Sequence, residues 1–239
     1  MALPKSLLIA FLLSLVSAAC PAQSQPAGEI LDKSIRHHDP QGVWGAYRGG
    51  FTVLLETPGE APRTSKIRID QPASRFHLEM TRGEVTKVYE LVGDSCSLQY
   101  NGTPQFSEEI ANKHRLTCDA ARMYKNYYSF LYGLPMKLRD PGTHLSPEAQ
   151  RVTFHGKSYW VVEVRYDPEV GKDLWYFYFN PDTFALEAYQ FYHDKALNDG
   201  EYILLEGEHP VGGMQLPKNR SWYTNLEDKF LGTDILQDF

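Results

Sequence analysis

Alternation of apolar and polar positions dominates this chain. Arg75 to Thr81 alternates cleanly, with Phe76, Leu78 and Met80 on one side, the period of two that marks a half-buried strand. Lys66 to Asp70 repeats the pattern through Ile67 and Ile69, and Phe51 to Glu56 precedes it across the turn Thr57-Pro58-Gly59-Glu60. Val85, Tyr89 and Leu91 mark a further strand, and Ser97 to Tyr100 another, closed by the hairpin dipeptide Asn101-Gly102. After Arg151 the same signals return: Arg151 to Phe154, Tyr159 to Tyr166, Leu174 to Phe179, Leu186 to Tyr192, Glu201 to Glu208, Pro217 to Tyr223 and Phe230 to Leu236, each bounded by Gly, Pro, Asn or Asp.

Two segments break the alternation. Glu29 to His38 places Ile30, Leu31, Ser34, Ile35 and His38 near one face and stops at Asp39-Pro40, which predicts a short helix. Ser107 to Tyr132 reads as helical, with starts at Glu108-Glu109 and Thr117-Cys118-Asp119, an apolar stripe of Met123, Tyr127, Phe130 and Leu131, and stops at Gly133 and Pro135. Short turns favour neighbouring strands pairing in order. The predicted fold is mainly antiparallel β: a strongly curved sheet or incomplete β-barrel, closed by a few α-helices.

Ahead of these elements, Lys5 and the apolar run Leu7 to Val16 lead through Ser17, Ala18 and Ala19 into Cys20. That is a secretory leader. A cysteine at the cut resembles the lipobox of bacterial lipoproteins. Cys20 is therefore the expected lipidation site, against two other readings: an ordinary cut that leaves a soluble exported protein, and an uncleaved span. The run is short of the roughly 20 residues a helix needs to cross a bilayer. The expected organisation is a signal peptide over 1–19, a lipidated cysteine and Pro/Ala/Gln/Ser-rich tether over 20–28, and one sheet-rich domain over 29–239.

Composition narrows the partners. The chain carries a net charge of −6 with no contiguous basic stretch, which excludes nucleic acid. Cys96 and Cys118 are the other two cysteines. In an oxidising compartment they are expected to pair, stabilising the fold by roughly 3 kcal/mol through loop closure; the alternative is two buried thiols.

Aromatic residues crowd adjacent strands: Tyr159, Trp160, Trp175 to Phe179, Tyr189, Phe191 and Tyr192. Trp175 to Phe179 is aromatic on both faces of its strand, so one face packs the core. The other must meet a helix, a ligand, a partner or a lipid surface. Tyr159, Trp175, Phe177, Tyr189 and Phe191 are the candidate walls of an apolar site; the bland alternative is core packing on both sides.

The stretch Tyr166-Asp167-Pro168-Glu169-Val170-Gly171-Lys172-Asp173 with Trp175-Tyr176-Phe177-Tyr178-Phe179-Asn180-Pro181 resembles an uncharacterised family of exported proteins found mostly in Bacteroidota. So do Tyr189 to His193, Gly200 to Ile203, Pro217 to Tyr223 and Phe230 to Asp234. That family is similar in build to outer-membrane lipoprotein carrier and receptor proteins, whose curved sheets hold acyl chains. The resemblance implies an exported envelope protein, lipid-anchored to the outer membrane or periplasmic, without enzymatic activity. It implies binding of a lipid, a lipoprotein acyl chain or another hydrophobic ligand. No carrier-specific residue transfers to a position here.

Other chemistry is sparse. His37-His38-Asp39 is the densest polar cluster, but neighbouring helical residues point about 100° apart, so it reads as one packed and one exposed histidine rather than a metal site. His193-Asp194 reads as an acid–base pair or, more simply, a strand end. The acids between Asp167 and Asp173 lack calcium-loop spacing, and Asn101-Gly102-Thr103 marks an exposed turn. Nucleophile elbows, metalloprotease helices and phosphate loops are absent from the sequence; neither cofactor nor metal is expected. The remaining alternatives are a lipid-anchored interaction module with a filled core, partnered by an envelope protein, and a hydrolase with an unrecognised site.

Overall fold

The computed structural model describes residues 24–239; the expected leader and lipidation site Cys20 lie outside them. In chain order the elements are β1 Ser24–Pro26, α1 Ala27–His38, β2 Arg48–Glu56, β3 Arg63–Asp70, β4 Arg75–Arg82, β5 Val85–Val92, β6 Ser95–Tyr100, α2 Glu108–His114, α3 Cys118–Gly133, β7 Thr143–Leu145, β8 Glu148–Phe154, β9 Lys157–Tyr166, β10 Leu174–Phe179, β11 Leu186–Asp194, β12 Asp199–Val211, β13 Met214–Thr224 and β14 Phe230–Gln237. A 3₁₀ turn, Met136–Arg139, follows α3.

All strands belong to one antiparallel sheet of 14 strands, ordered β1-β8-β9-β10-β11-β12-β13-β14-β2-β3-β4-β5-β6, with β7 pairing β9 off that path. The runs β2 to β6 and β8 to β14 pair in sequence order; β14 then returns to β2, and β1 joins β8. The expected strongly curved sheet or incomplete barrel is not what forms. The path starts at β1 and ends at β6, the two ends do not pair, and the sheet is neither closed nor strongly curled. Barrel closure requires edge-to-edge hydrogen bonds and a matching strand tilt. Here helices cover most of the apolar face instead, so the core is buried without closure.

Ser24–Pro26 hydrogen-bonds along Glu148–Gln150, so ordered structure starts inside the stretch that composition assigns to a tether. Alternation places Phe76, Leu78, Met80, Ile67 and Ile69 in the core as expected. Their strands are wet on the opposite side, where a period of two is easiest to read. α1 buries Ala27, Ile30, Leu31, Ser34 and His38 against the same face.

α3 lies across the middle of that face. Its start is capped by the Thr117 hydroxyl, which accepts from the Ala120 amide at 3.1 Å. Its buried face is Ala120, Ala121, Tyr128, Leu131 and Tyr132, rotated from the expected stripe, so that Met123 and Tyr127 stay partly exposed. The alanines let the helix approach the sheet closely, while Tyr132 packs on Phe51 with ring centroids 4.6 Å apart. At its end Gly133 lies against the Trp44 indole, where a Cβ would overlap the ring. Among the described residues no helix is long and apolar enough to cross a membrane.

Cys96 of β6 and Cys118 at the start of α3 form the expected disulfide across a separation of 22 residues. It ties the helix to the sheet's far edge. Cys118→Ala is expected to lower unfolding stability by about 3 kcal/mol. Denaturant unfolding of wild type and variant, each with and without reductant, measures this. Reductant is expected to destabilise the wild type alone, and an equal effect on both proteins contradicts the assignment.

Candidate functional site

Strand register brings four of the five candidate aromatics together. Trp175 sits opposite Phe191 and Phe177 opposite Tyr189 across β10 and β11, all on the face that meets the helices. Trp175 stacks on Phe191 with centroids 4.7 Å apart and lies 5.9 Å from Phe177, and Phe177 lies 6.1 Å from Tyr189. Phe177 and Tyr189 are fully buried; Trp175 and Phe191 are half-buried. Tyr159 does not join them. On β9 the inward residues are Trp160, Val162 and Val164, so Tyr159 points to the opposite face, in a small cluster with Val161, Tyr178 and Ala188.

Beside Trp175 the cover given by α3 runs out. Between the last turns of α3, the 3₁₀ turn and β9–β10 lies a cleft of about 510 Å³, walled by Tyr127, Phe130, Tyr166, Val170 and Trp175. Phe130 stands edge-on to Trp175 at 5.4 Å and to Tyr166 at 6.3 Å. Lys137 donates to Asp140 at the rim. Tyr166 presents a buried hydroxyl without a partner among the described residues. Burial raises its pKa, with Asp140 adding to the shift, so the group stays protonated as a donor. The cleft is apolar with a few polar groups at its edge, the usual composition of a small-ligand site. Helical spacing alone assigns Tyr127 and Phe130 to a core stripe; it does not show the point at which the helix leaves the sheet.

The titratable clusters are structural. His37, His38 and Glu208 bring potential ligand atoms within 4.8 Å of one another, and His37 Nε2 meets Glu208 Oε1 at 2.5 Å. The donor set nevertheless does not fit a metal. His38 Nε2 accepts from the Leu186 amide at 2.8 Å and Nδ1 donates to the Gln215 carbonyl at 2.6 Å. One neutral tautomer satisfies both bonds and leaves no lone pair free. Asp39 accepts from the Val43 and Trp44 amides at 2.8 and 2.9 Å.

His193 pairs with Asp173 at 2.8 Å rather than with Asp194. The carboxylate of Asp194 instead accepts from the Ala196 amide at 2.9 Å within the turn. The hydrogen bond to Asp173 raises the His193 pKa. Among the described residues no serine or cysteine is hydrogen-bonded to His37, His38 or His193, so the nucleophile–base pairing of a hydrolase is not assembled at these three positions. His144, by contrast, reaches Asp167 at 2.6 Å and fastens the loop between β9 and β10 to β7.

A model for a family of unknown function, DUF6503, matches residues 5–238, and the chain belongs to that family. Among curated proteins, none matches the chain. A LolA superfamily protein from Nitrosomonas europaea is similar at 12% identity and a TM-score of 0.48, over 90% of this chain and 92% of that one. A DUF1329 family protein from Desulfovibrio piger is similar at 9% identity and 0.49, over 89% and 92%. A likeness of this degree carries no argument about activity.

Burial lowers the His38 pKa from 6.5 to about 4, against the opposing pull of its bond to Gln215. The unfolded chain therefore binds this proton between pH 6.5 and 4 while the native protein does not, so stability is present above that window and is lost as pH falls through it. The difference amounts to roughly 3 kcal/mol at about 1.4 kcal/mol per pH unit. Denaturant unfolding from pH 7 to 4 should show this loss in the wild type. His38→Gln should be less stable at pH 7 with a shallower pH slope; an unchanged slope contradicts the assignment.

Proposed function

We propose that this member of the DUF6503 family is an exported, non-enzymatic protein of the cell envelope that binds an apolar chain, such as a lipid or lipoprotein acyl chain. The site is the cleft between α3 and β9–β10. Trp175 and Phe130 form its walls, and Phe191, Phe177 and Tyr189 back Trp175 from the sheet. Tyr159, on the other face, supports β9 rather than the ligand. Residues 1–19 act as a signal peptide, and Cys20 is lipidated ahead of a short tether, so that the protein is held at the outer membrane; an ordinary cut would leave it free in the periplasm.

One observation carries this reading: the half-buried Trp175, stacked on Phe191 and open to a 510 Å³ apolar cleft. An acyl segment of about ten methylenes leaving water gains roughly 8 kcal/mol gross at ~0.8 kcal/mol each. Lost translational and rotational freedom takes back ~4 kcal/mol or more. The remainder corresponds to weak, reversible binding, which suits uptake and release.

A second reading, an interaction module for an envelope protein, has its own support. Val170, Leu197 and Leu226 are 59, 68 and 69% exposed on three hairpin tips at one end of the sheet. Two of those tips are joined where Asn198 Nδ2 donates to the Asn225 carbonyl at 2.9 Å. Exposed aliphatic residues grouped in this way mark association surfaces.

Native mass spectrometry of the protein extracted from membranes separates these readings. An acyl-chain adduct is expected on the wild type, together with the mass of a lipidated Cys20. Trp175→Ala and Phe130→Ala are expected to weaken retention of added palmitate about tenfold, a change of about 1.4 kcal/mol. A wild type that retains no palmitate, or variants that retain it equally, contradicts the cleft as the site.

A further inference from the structure

The face turned away from the helices carries a cavity of its own, about 610 Å³, spread over β8 to β11. It is separate from the acyl cleft, and nothing in the proposed function uses it. Tyr176, Tyr178 and Tyr192 supply aromatic surface, while Gln150, Glu163, Gln190 and Lys195 supply polar groups. Tyr176 and Tyr192 meet edge to face at 6.0 Å. All except Lys195 stand on strands, which hold side chains more firmly than loops do.

The polar groups are fixed by one another and still have capacity to bind. Tyr178 Oη donates to Gln190 Oε1 at 2.8 Å, Gln190 Nε2 donates to Asn225 Oδ1 at 2.9 Å, and Asn225 Nδ2 donates to the Phe191 carbonyl at 2.9 Å. That chain sets the direction of the Gln190 amide and leaves its second N–H free. Glu163 accepts from Tyr176 Oη at 3.0 Å and from Arg165 Nε at 3.1 Å, one bond on each oxygen, so each oxygen keeps a lone pair. Lys195 Nζ donates to Tyr176 Oη at 2.7 Å and retains further donors.

We infer that this cavity is a carbohydrate site that takes a pyranose ring of a neutral saccharide. The alternatives fail on the same residues. An organic cation would be repelled by the Lys195 ammonium, which already lies over Tyr176, 4.8 Å from the ring centroid, in the place such a cation would take. An anion would meet Glu148 and Glu163 on the wall. A purely aliphatic ligand would strip water from the Gln190 amide, the Glu163 carboxylate and the Lys195 ammonium without replacing it, at a cost for each group left unpaired. A sugar ring matches both sets of groups. One C–H face packs on the half-buried Tyr192 ring, which neither the Lys195 ammonium nor a stacked ring covers, and its hydroxyls both give and accept, as the carboxylate, amide and ammonium require. The volume falls within the ordinary range for small-ligand pockets.

Saturation-transfer-difference NMR with the mature protein, using maltose and N,N′-diacetylchitobiose as probes, tests this. Saturation is expected on the ring C–H protons of at least one disaccharide. Tyr192→Ala and Gln150→Ala, both on the outer surface, are each expected to cut that signal about fivefold or more, in line with the loss of one aromatic or amide contact. Cooperative thermal unfolding of the variants, with a midpoint close to wild type, shows that the fold is intact. The inference is overturned if neither sugar receives saturation, or if the signal survives in both variants. Palmitate retention by Tyr192→Ala is expected to match wild type, so failure here and failure of the acyl cleft are read separately.

Discussion

The arrangement depends on Arg220. Its guanidinium is buried beneath α3, donates through Nη2 to the Leu131 carbonyl at 3.2 Å and through Nη1 to the Pro217 carbonyl at 3.0 Å, and lies 4.0 Å from the centroid of the Tyr132 ring. The last carbonyls of a helix have no partner within the helix and carry the negative end of its dipole. A cation from β13 placed there both satisfies a carbonyl and meets that field. Taking the charge out of water is costly unless it is answered. Part of the answer is the two carbonyls and the Tyr132 ring; Asp234, its register partner on β14 and itself buried, adds a negative charge at longer range without a direct ion pair. Burial raises the Asp234 pKa while Arg220 and Arg63 pull it down. α3 is thus held at one end by a buried arginine and at the other by the Cys96–Cys118 disulfide.

From this clamp follow the two faces of the sheet. Where α3 lies, the apolar face is sealed: Tyr128 and Tyr132 fill it, and the Tyr128 hydroxyl donates to Ser65 Oγ at 3.0 Å. Where α3 ends, Trp175 and Phe130 border an opening. The other face lacks such a cover and carries tyrosines tied to Gln190, Glu163 and Lys195. The sheet therefore stays open at its edges yet offers two chemically distinct surfaces, one apolar under a helix and one mixed in the open.

Much of this was readable in the residues. The strands announce themselves because most are buried on one side, so Phe76, Leu78 and Met80 alternate against polar neighbours. The disulfide is the expected pairing of Cys96 and Cys118, the two cysteines beyond Cys20. The face of α3 was not readable: Ala120 and Ala121 give little apolar signal, and they matter because they are small. Arg220 and Asp234 look like surface residues in any hydropathy pattern, since their burial depends on partners from distant strands. Closure of the sheet is not legible in the residues, because the same alternation serves a barrel and an open sheet covered by helices. Parity along Trp175 to Phe179 separates the two faces of β10, but not the register of β9 against it, which sets Tyr159 on the face opposite Trp175 and Phe177.

The central claim is that the gap at the end of α3 receives an apolar chain. Intermolecular nuclear Overhauser effects between the methylene protons of palmitate and the protein test it most directly. The account predicts cross-peaks to the Trp175 indole and the Phe130 ring, and none to the outer-face Tyr192. Cross-peaks confined to the outer face or to the hairpin tips at Leu197 and Leu226, or none at all at saturating palmitate, would contradict it.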